Sequence, residues 1–192
     1  MNRFPVQIFA LAAALLLAVA SAPALAQSQQ TTQQADTGLG VKGIGARIGF
    51  VDPEDASGTA ALGVHMDAGT FVRGVHLMPY VEYWSAGASI GGYNVDLSDL
   101  TFAADINMDF PLSGSSLTPY LGGGLGLHIL SQDSNVPGVS TEDESKFGFN
   151  IQGGMRNQVM PNLSLFGEAR YSFVSDMNQL KLMGGFTYQF IY

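Results

Sequence analysis

The chain has 192 residues, 46% of them hydrophobic, with 24 glycines, no cysteine and a formal net charge of −8. An acidic chain lacks the basic stripe that phosphate binding needs, so nucleic acid is excluded as a partner. Without cysteine there is no disulfide, no thiol chemistry and no lipid-anchored cysteine.

Residues 1–26 have the form of a secretory signal peptide. Arg3 supplies the positive start, Ile8 to Ala20 is apolar, and Ala24-Leu25-Ala26 is a small-x-small cleavage site. Residues 27–38 are polar and glutamine-rich without a hydrophobic pattern, which predicts a disordered lead-in. Residues 39–192 are expected to form one domain. No later window has the ~18 apolar residues a spanning helix requires, so a membrane location demands a closed barrel.

Eight runs alternate apolar and polar residues, near 41–51, 61–68, 75–84, 98–110, 117–130, 147–159, 163–173 and 179–192. Period two describes strands with one greasy face. The intervening segments hold Gly, Pro, Asn, Asp and Ser, as turns do. Long connections are predicted near 52–60, 85–97 and 131–146, with short ones near 69–74, 111–116, 160–162 and 174–178. Short turns at one end and long loops at the other, broken only by the short connection near 174–178, are the pattern of outer-membrane barrels.

The two faces differ sharply. One carries sets such as Ile44, Ala46, Ile48, Phe50 and Leu100, Phe102, Ala104, Ile106, and no charge falls on it. A Lys or Arg facing lipid at mid-membrane costs about 2–4 kcal/mol, so this face suits lipid. The other face holds Arg47, Asp67, Glu82, Asp105, Arg156, Glu168 and Arg170, together with Asp99, Asp109 and Lys181. A narrow eight-strand barrel has room inside for side chains and no wide channel, and its buried charges must pair. Arg47, Arg156 and Arg170 are expected to meet Asp67, Glu82, Asp105 and Glu168 in a lumen network.

Phe50, Tyr83, Phe147, Phe149, Tyr171 and Phe173 lie at strand ends beside the long connections, and Phe110, Tyr188, Phe190 and Tyr192 at the opposite ends. Two aromatic girdles fit two membrane interfaces. Trp84, the sole tryptophan, is expected at the outer rim as an interfacial anchor. A secreted lipocalin-like barrel is the competing fold, but its water-facing exterior would carry more lysine than Lys42, Lys146 and Lys181. The fold class is therefore all-β, an eight-stranded antiparallel up-and-down transmembrane β-barrel.

The stretch Leu117-Thr-Pro-Tyr-Leu-Gly-Gly-Gly-Leu-Gly-Leu127, and a second copy at Met78-Pro-Tyr-Val-Glu-Tyr-Trp84, resemble the Pro-Tyr strands of the outer-membrane β-barrel domain family, which includes small OmpA/OmpX-type, porin-like barrels. The ending Phe186-Thr-Tyr-Gln-Phe-Ile-Tyr192 resembles the signal such proteins present to the barrel-assembly machinery, with Tyr188, Phe190 and Tyr192 as its aromatics and Tyr in place of the usual final Phe. The resemblance implies a bacterial outer membrane, with outer-membrane lipid and that machinery as partners; separately, no cofactor is expected. No peptidoglycan-binding domain is expected after the barrel.

Other candidates are local. His128 with Ser131 and Asp133 offers the residue types of a lipid-modifying rim enzyme, since a serine nucleophile needs a base and an orienting acid. Glu142, Asp143 and Glu144 are the best candidate loop cation site, although their spacing matches no calcium loop and the metal-free reading is preferred. The function expected is non-enzymatic: a structural or surface-interacting barrel presenting acidic loops to an unidentified extracellular ligand. A narrow channel is the alternative, and the rim enzyme comes third.

Overall fold

In the computed structural model, residues 38–54, 57–90, 93–134 and 142–190 are described. The expected signal peptide, most of the lead-in and Tyr192 lie outside them. Eight strands follow in chain order: β1 Gly38–Pro53, β2 Thr59–Val72, β3 Val75–Ile90, β4 Tyr93–Asp109, β5 Leu117–Ser134, β6 Glu142–Met160, β7 Leu163–Val174 and β8 Gln179–Gln189. Each pairs antiparallel with its sequence neighbour, and β1 pairs with β8 to close the barrel. Closure leaves no strand edge within the barrel wall, which is the condition for crossing hydrocarbon.

Side-chain parity follows the alternation read from the sequence. Ile48, Leu62, Val64, Leu125, Phe147 and Ile151 are among the exposed outward side chains, with Leu125 71% exposed. Arg47, Asp67, Glu82, Asp99, Asp105, Glu168, Arg170 and Lys181 are buried inside. The barrel is inverted relative to a soluble protein, with its apolar surface outside and its polar core within.

The strands overrun their predicted ends. The connection expected at 85–97 is mostly strand, because β3 and β4 pair as far as Ile90↔Tyr93. Likewise β5 and β6 pair to Gln132↔Glu142, so the connection expected at 131–146 shrinks to 135–141. A transmembrane strand needs ~9–11 residues, whereas β3 to β6 have 16–19. The outward aromatics Tyr83, Phe147 and Phe149 therefore sit below the tips of these strands. Above them, Ser85, Asp96, Ser98, Gln132 and Asp143 make a projecting four-stranded sheet with polar side chains on both faces. Opposite this wall, the β7–β8 connection is a tight turn at 175–178, so the rim is high on one side and low on the other. The end bearing these connections is called the hairpin end, and the opposite one the turn end.

Candidate functional site

The lumen is filled by side chains along its length. The middle level is centred on Arg170 of β7, whose side chain is fully buried. Its Nη2 donates to Asp105 Oδ2 at 2.9 Å and to Glu168 Oε1 at 2.8 Å, and its Nε donates to Gln152 Oε1 at 2.7 Å. Glu82 lies 3.9 Å away on the other side and accepts a hydrogen bond from Lys181. The guanidinium also lies over the Tyr80 ring, 4.3 Å from its centroid. Arg47 is 3.8 Å from Glu168 and packs over Tyr80 and Phe166. The sequence brings these groups together because every one has lumen parity, and a buried charge is tolerable when it is paired and hydrogen-bonded.

The glycine run on β5 has a specific use. Gly122 pairs with Asn107 and Gln152, and Gly124 with Asp105 and Asn150. A side chain on either glycine would collide with the Asn107 or Asp105 side-chain oxygen. With both positions bare, β6 reaches across β5 to β4: Asn150 Nδ2 donates to Asp105 at 2.9 Å, and Gln152 Nε2 donates to Asn107. The amides are thus part of the network, and alternate glycines between polar strands are the sequence signal for them.

At the turn end a second cluster forms. Arg156, expected with Asp67, Glu82, Asp105 and Glu168, bonds instead to Asp109 at 2.8 Å while lying over the Tyr120 ring. Asp67 meets His76 at 3.5 Å and accepts the Gly69 N–H, with no arginine bonded to it among the described contacts. Asp67 and Arg156 stand near the ends of β2 and β6, one strand end away from the Arg170 level. Parity sets the face of each residue, and strand offset sets its level.

At the hairpin end the lumen is capped by apolar side chains: Val51, Ala61, Trp84, Ala86, Leu130, Met177 and Met183, with Leu97 packed against them. Trp84 is 1% exposed, so it is a plug residue and not the interfacial anchor expected. It shares parity with Glu82, which turns its ring inward. Between cap and charges, His128 Nδ1 contacts Asp99 at 2.8 Å and Thr101 at 3.1 Å, and Gln179 donates to Asp99. Ser131 has the opposite parity to His128, and Asp133 is exposed on the projecting sheet, so the three do not assemble a catalytic triad.

Glu142, Asp143 and Glu144 lie on strand β6 and not on a loop. Alternation sends Asp143 and Glu144 to opposite faces, which separates the carboxylates a cation would need together; the Glu142 side chain lies outside the described residues. Glu144 instead pairs with Lys146 at 2.9 Å, and Lys146 also pairs with Asp176 at 3.1 Å. Hydrogen bonds that the Lys146 ammonium donates to Glu144 and Asp176 hold its pKa above the usual lysine range. Among the described residues at this end, Lys146 is the one basic residue that is not buried, against Asp52, Glu54, Asp96, Asp133, Asp143, Glu144 and Asp176.

An eight-stranded closed barrel with a lipophilic exterior and an ion-paired, plugged interior defines a transmembrane β-barrel of the outer-membrane type. Residues 12–190 match the outer membrane protein beta-barrel domain, and the chain belongs to that family of bacterial outer-membrane proteins. Solved structures with the same fold include Neisserial surface protein A, at a TM-score of 0.64 and 19% identity over 80% of this chain and 99% of that one. A major outer membrane protein from Thermus thermophilus gives 0.55 at 15% identity, covering 77% and 98%. Ail of Yersinia pestis, in complex with the heparin analogue sucrose octasulfate, gives 0.51 at 17% identity, covering 78% and 99%. No curated protein matches the sequence.

Proposed function

We propose that the protein is a sealed surface barrel: non-enzymatic, exported by its N-terminal signal, inserted by the barrel-assembly machinery through its C-terminal aromatics, and used to present the hairpin end to partners outside the cell. The longer hairpins face outward in such barrels, which supports an extracellular position for the projecting sheet and the acidic hairpin end. The observation that carries this reading is the closure of the lumen. An apolar cap around Trp84 and Met183 overlies a level of buried, ion-paired charges, and this filling supports a sealed lumen. Material beyond what crossing the membrane requires has instead gone into the protruding strands β3 to β6.

The outward acidity argues for cationic partners. Sucrose octasulfate, seen with Ail, is a polyanion, and seven carboxylates against Lys146 would repel it here. Single-channel recording of the refolded chain in a planar bilayer tests the proposal. An inserted but silent barrel is the expected outcome. Steady cation-selective openings would replace this reading with the narrow-channel one.

A further inference from the structure

Above the apolar cap, the inner face of the projecting sheet and the β7–β8 turn enclose a cleft of about 240 Å³, lined by Leu97, Leu130, Gln132, Glu144, Lys146, Asp176 and Met177. Its floor is apolar and continuous with the plug, since Leu130 and Met177 belong to both and Leu97 packs against the plug. Its upper wall is charged. Lys146 Nζ stands between Glu144 Oε2 and Asp176 Oδ2, so one ammonium faces two carboxylates and a negative charge remains. Asp176 is held there by a left-handed backbone, φ 64°, a conformation that Asp tolerates better than most residues.

An apolar floor below paired carboxylates fits an aliphatic stem ending in a cation. Small-molecule pockets run from about 300 to 1,000 Å³, and this cleft is smaller, closer to the needs of one side chain. We propose that the cleft receives an arginine side chain from an extended segment of a partner protein. The arginine methylenes lie on Leu97, Leu130 and Met177, and the guanidinium meets Glu144 and Asp176. Arginine suits the site better than lysine, because its planar fork reaches both carboxylates at once while Lys146 keeps one oxygen of each. Net acidity around the hairpin end attracts such a segment and disfavours anionic competitors. The inference rests on the surface-interaction reading and gives it a partner chemistry.

The test uses the full refolded mature chain in lipid nanodiscs with ¹³C-methyl methionine, titrated with the peptide acetyl-Ser-Gly-Arg-Gly-Ser-amide. A twin peptide carries neutral citrulline in place of arginine, and agmatine serves as a free guanidine. The Met177 methyl resonance is expected to shift saturably with the arginine peptide and about tenfold more weakly with the citrulline twin. Met183, deeper in the plug, is expected to stay in place. Glu144→Gln and Asp176→Asn each weaken binding, whereas Lys146→Met tightens it by removing the resident competitor. Equal shifts with both peptides, no Met177 response, or agmatine binding as tightly as the peptide would each overturn the proposal. Bilayer conductance, measured separately, bears on the sealed-barrel reading and leaves this titration interpretable.

Discussion

Replacing Arg170 with alanine should be the most damaging single change in the lumen. The substitution removes donors to Asp105, Glu168 and Gln152 and the cation beside Glu82 and Tyr80. Asp105 and Glu168, whose side chains are 1% and 2% exposed, are left as buried carboxylates with less compensation. Breaking a buried pair by removing one partner costs about 3–5 kcal/mol. With a urea slope of about 2 kcal/mol/M, the unfolding midpoint should fall by about 1.5–2.5 M. Lys146→Ala is the control, since it breaks ion pairs whose acidic partners are exposed, and surface pairs contribute little. Urea titrations of both variants in lipid vesicles, followed by tryptophan fluorescence, make the comparison. Equal midpoints would refute the assignment of Arg170 as the charge that compensates buried Asp105 and Glu168.

Trp84 provides a reporter of its own position: brominated acyl chains should barely quench its emission, and strong quenching would return it to the lipid interface. On the lipid-facing side, Leu125→Lys should destabilise the barrel by about 2–4 kcal/mol, while Gln132→Lys, on the projecting sheet, should leave the urea midpoint unchanged. The raised pKa of Lys146 makes its ion pairs contribute fully below the ordinary lysine range, a contribution lost as pH rises through the folded value. Acylation of Lys146 by an N-hydroxysuccinimide ester at pH 8.5 should therefore speed up in Asp176→Asn, and an unchanged rate would show that Asp176 does not hold the ammonium.

Which face each residue takes is legible in the chain, because period-two alternation survives wherever one side meets lipid and the other a packed interior. It fades at Ser85-Ala86-Gly87 and Asp96-Leu97-Ser98, where both sides meet water or a shallow cleft, and the strands resemble loops there. Trp84 departs from expectation because its spacing from Glu82 outweighs the general preference of tryptophan for interfaces. Partners within the lumen are harder to read. Arg170 and Asp105 are 65 residues apart, and whether they meet depends on the offsets accumulated across every strand pair between them. Those offsets also separate Arg156 and Asp67 from the central level and bring in Lys181, Asn150 and Gln152.

The distribution of charge around the barrel bears on the order of its assembly. Glu82 and Asp105 arrive on β3 and β4, yet the cations bonded to them, Lys181 and Arg170, come with β8 and β7. Until the last hairpin joins, an unfinished sheet carries two carboxylates without those counter-ions, and moving it into hydrocarbon is opposed by the cost of desolvating them. Completion of the chain and entry into the bilayer should thereby be coupled, with products lacking β7 and β8 expected to insert less readily than the full barrel.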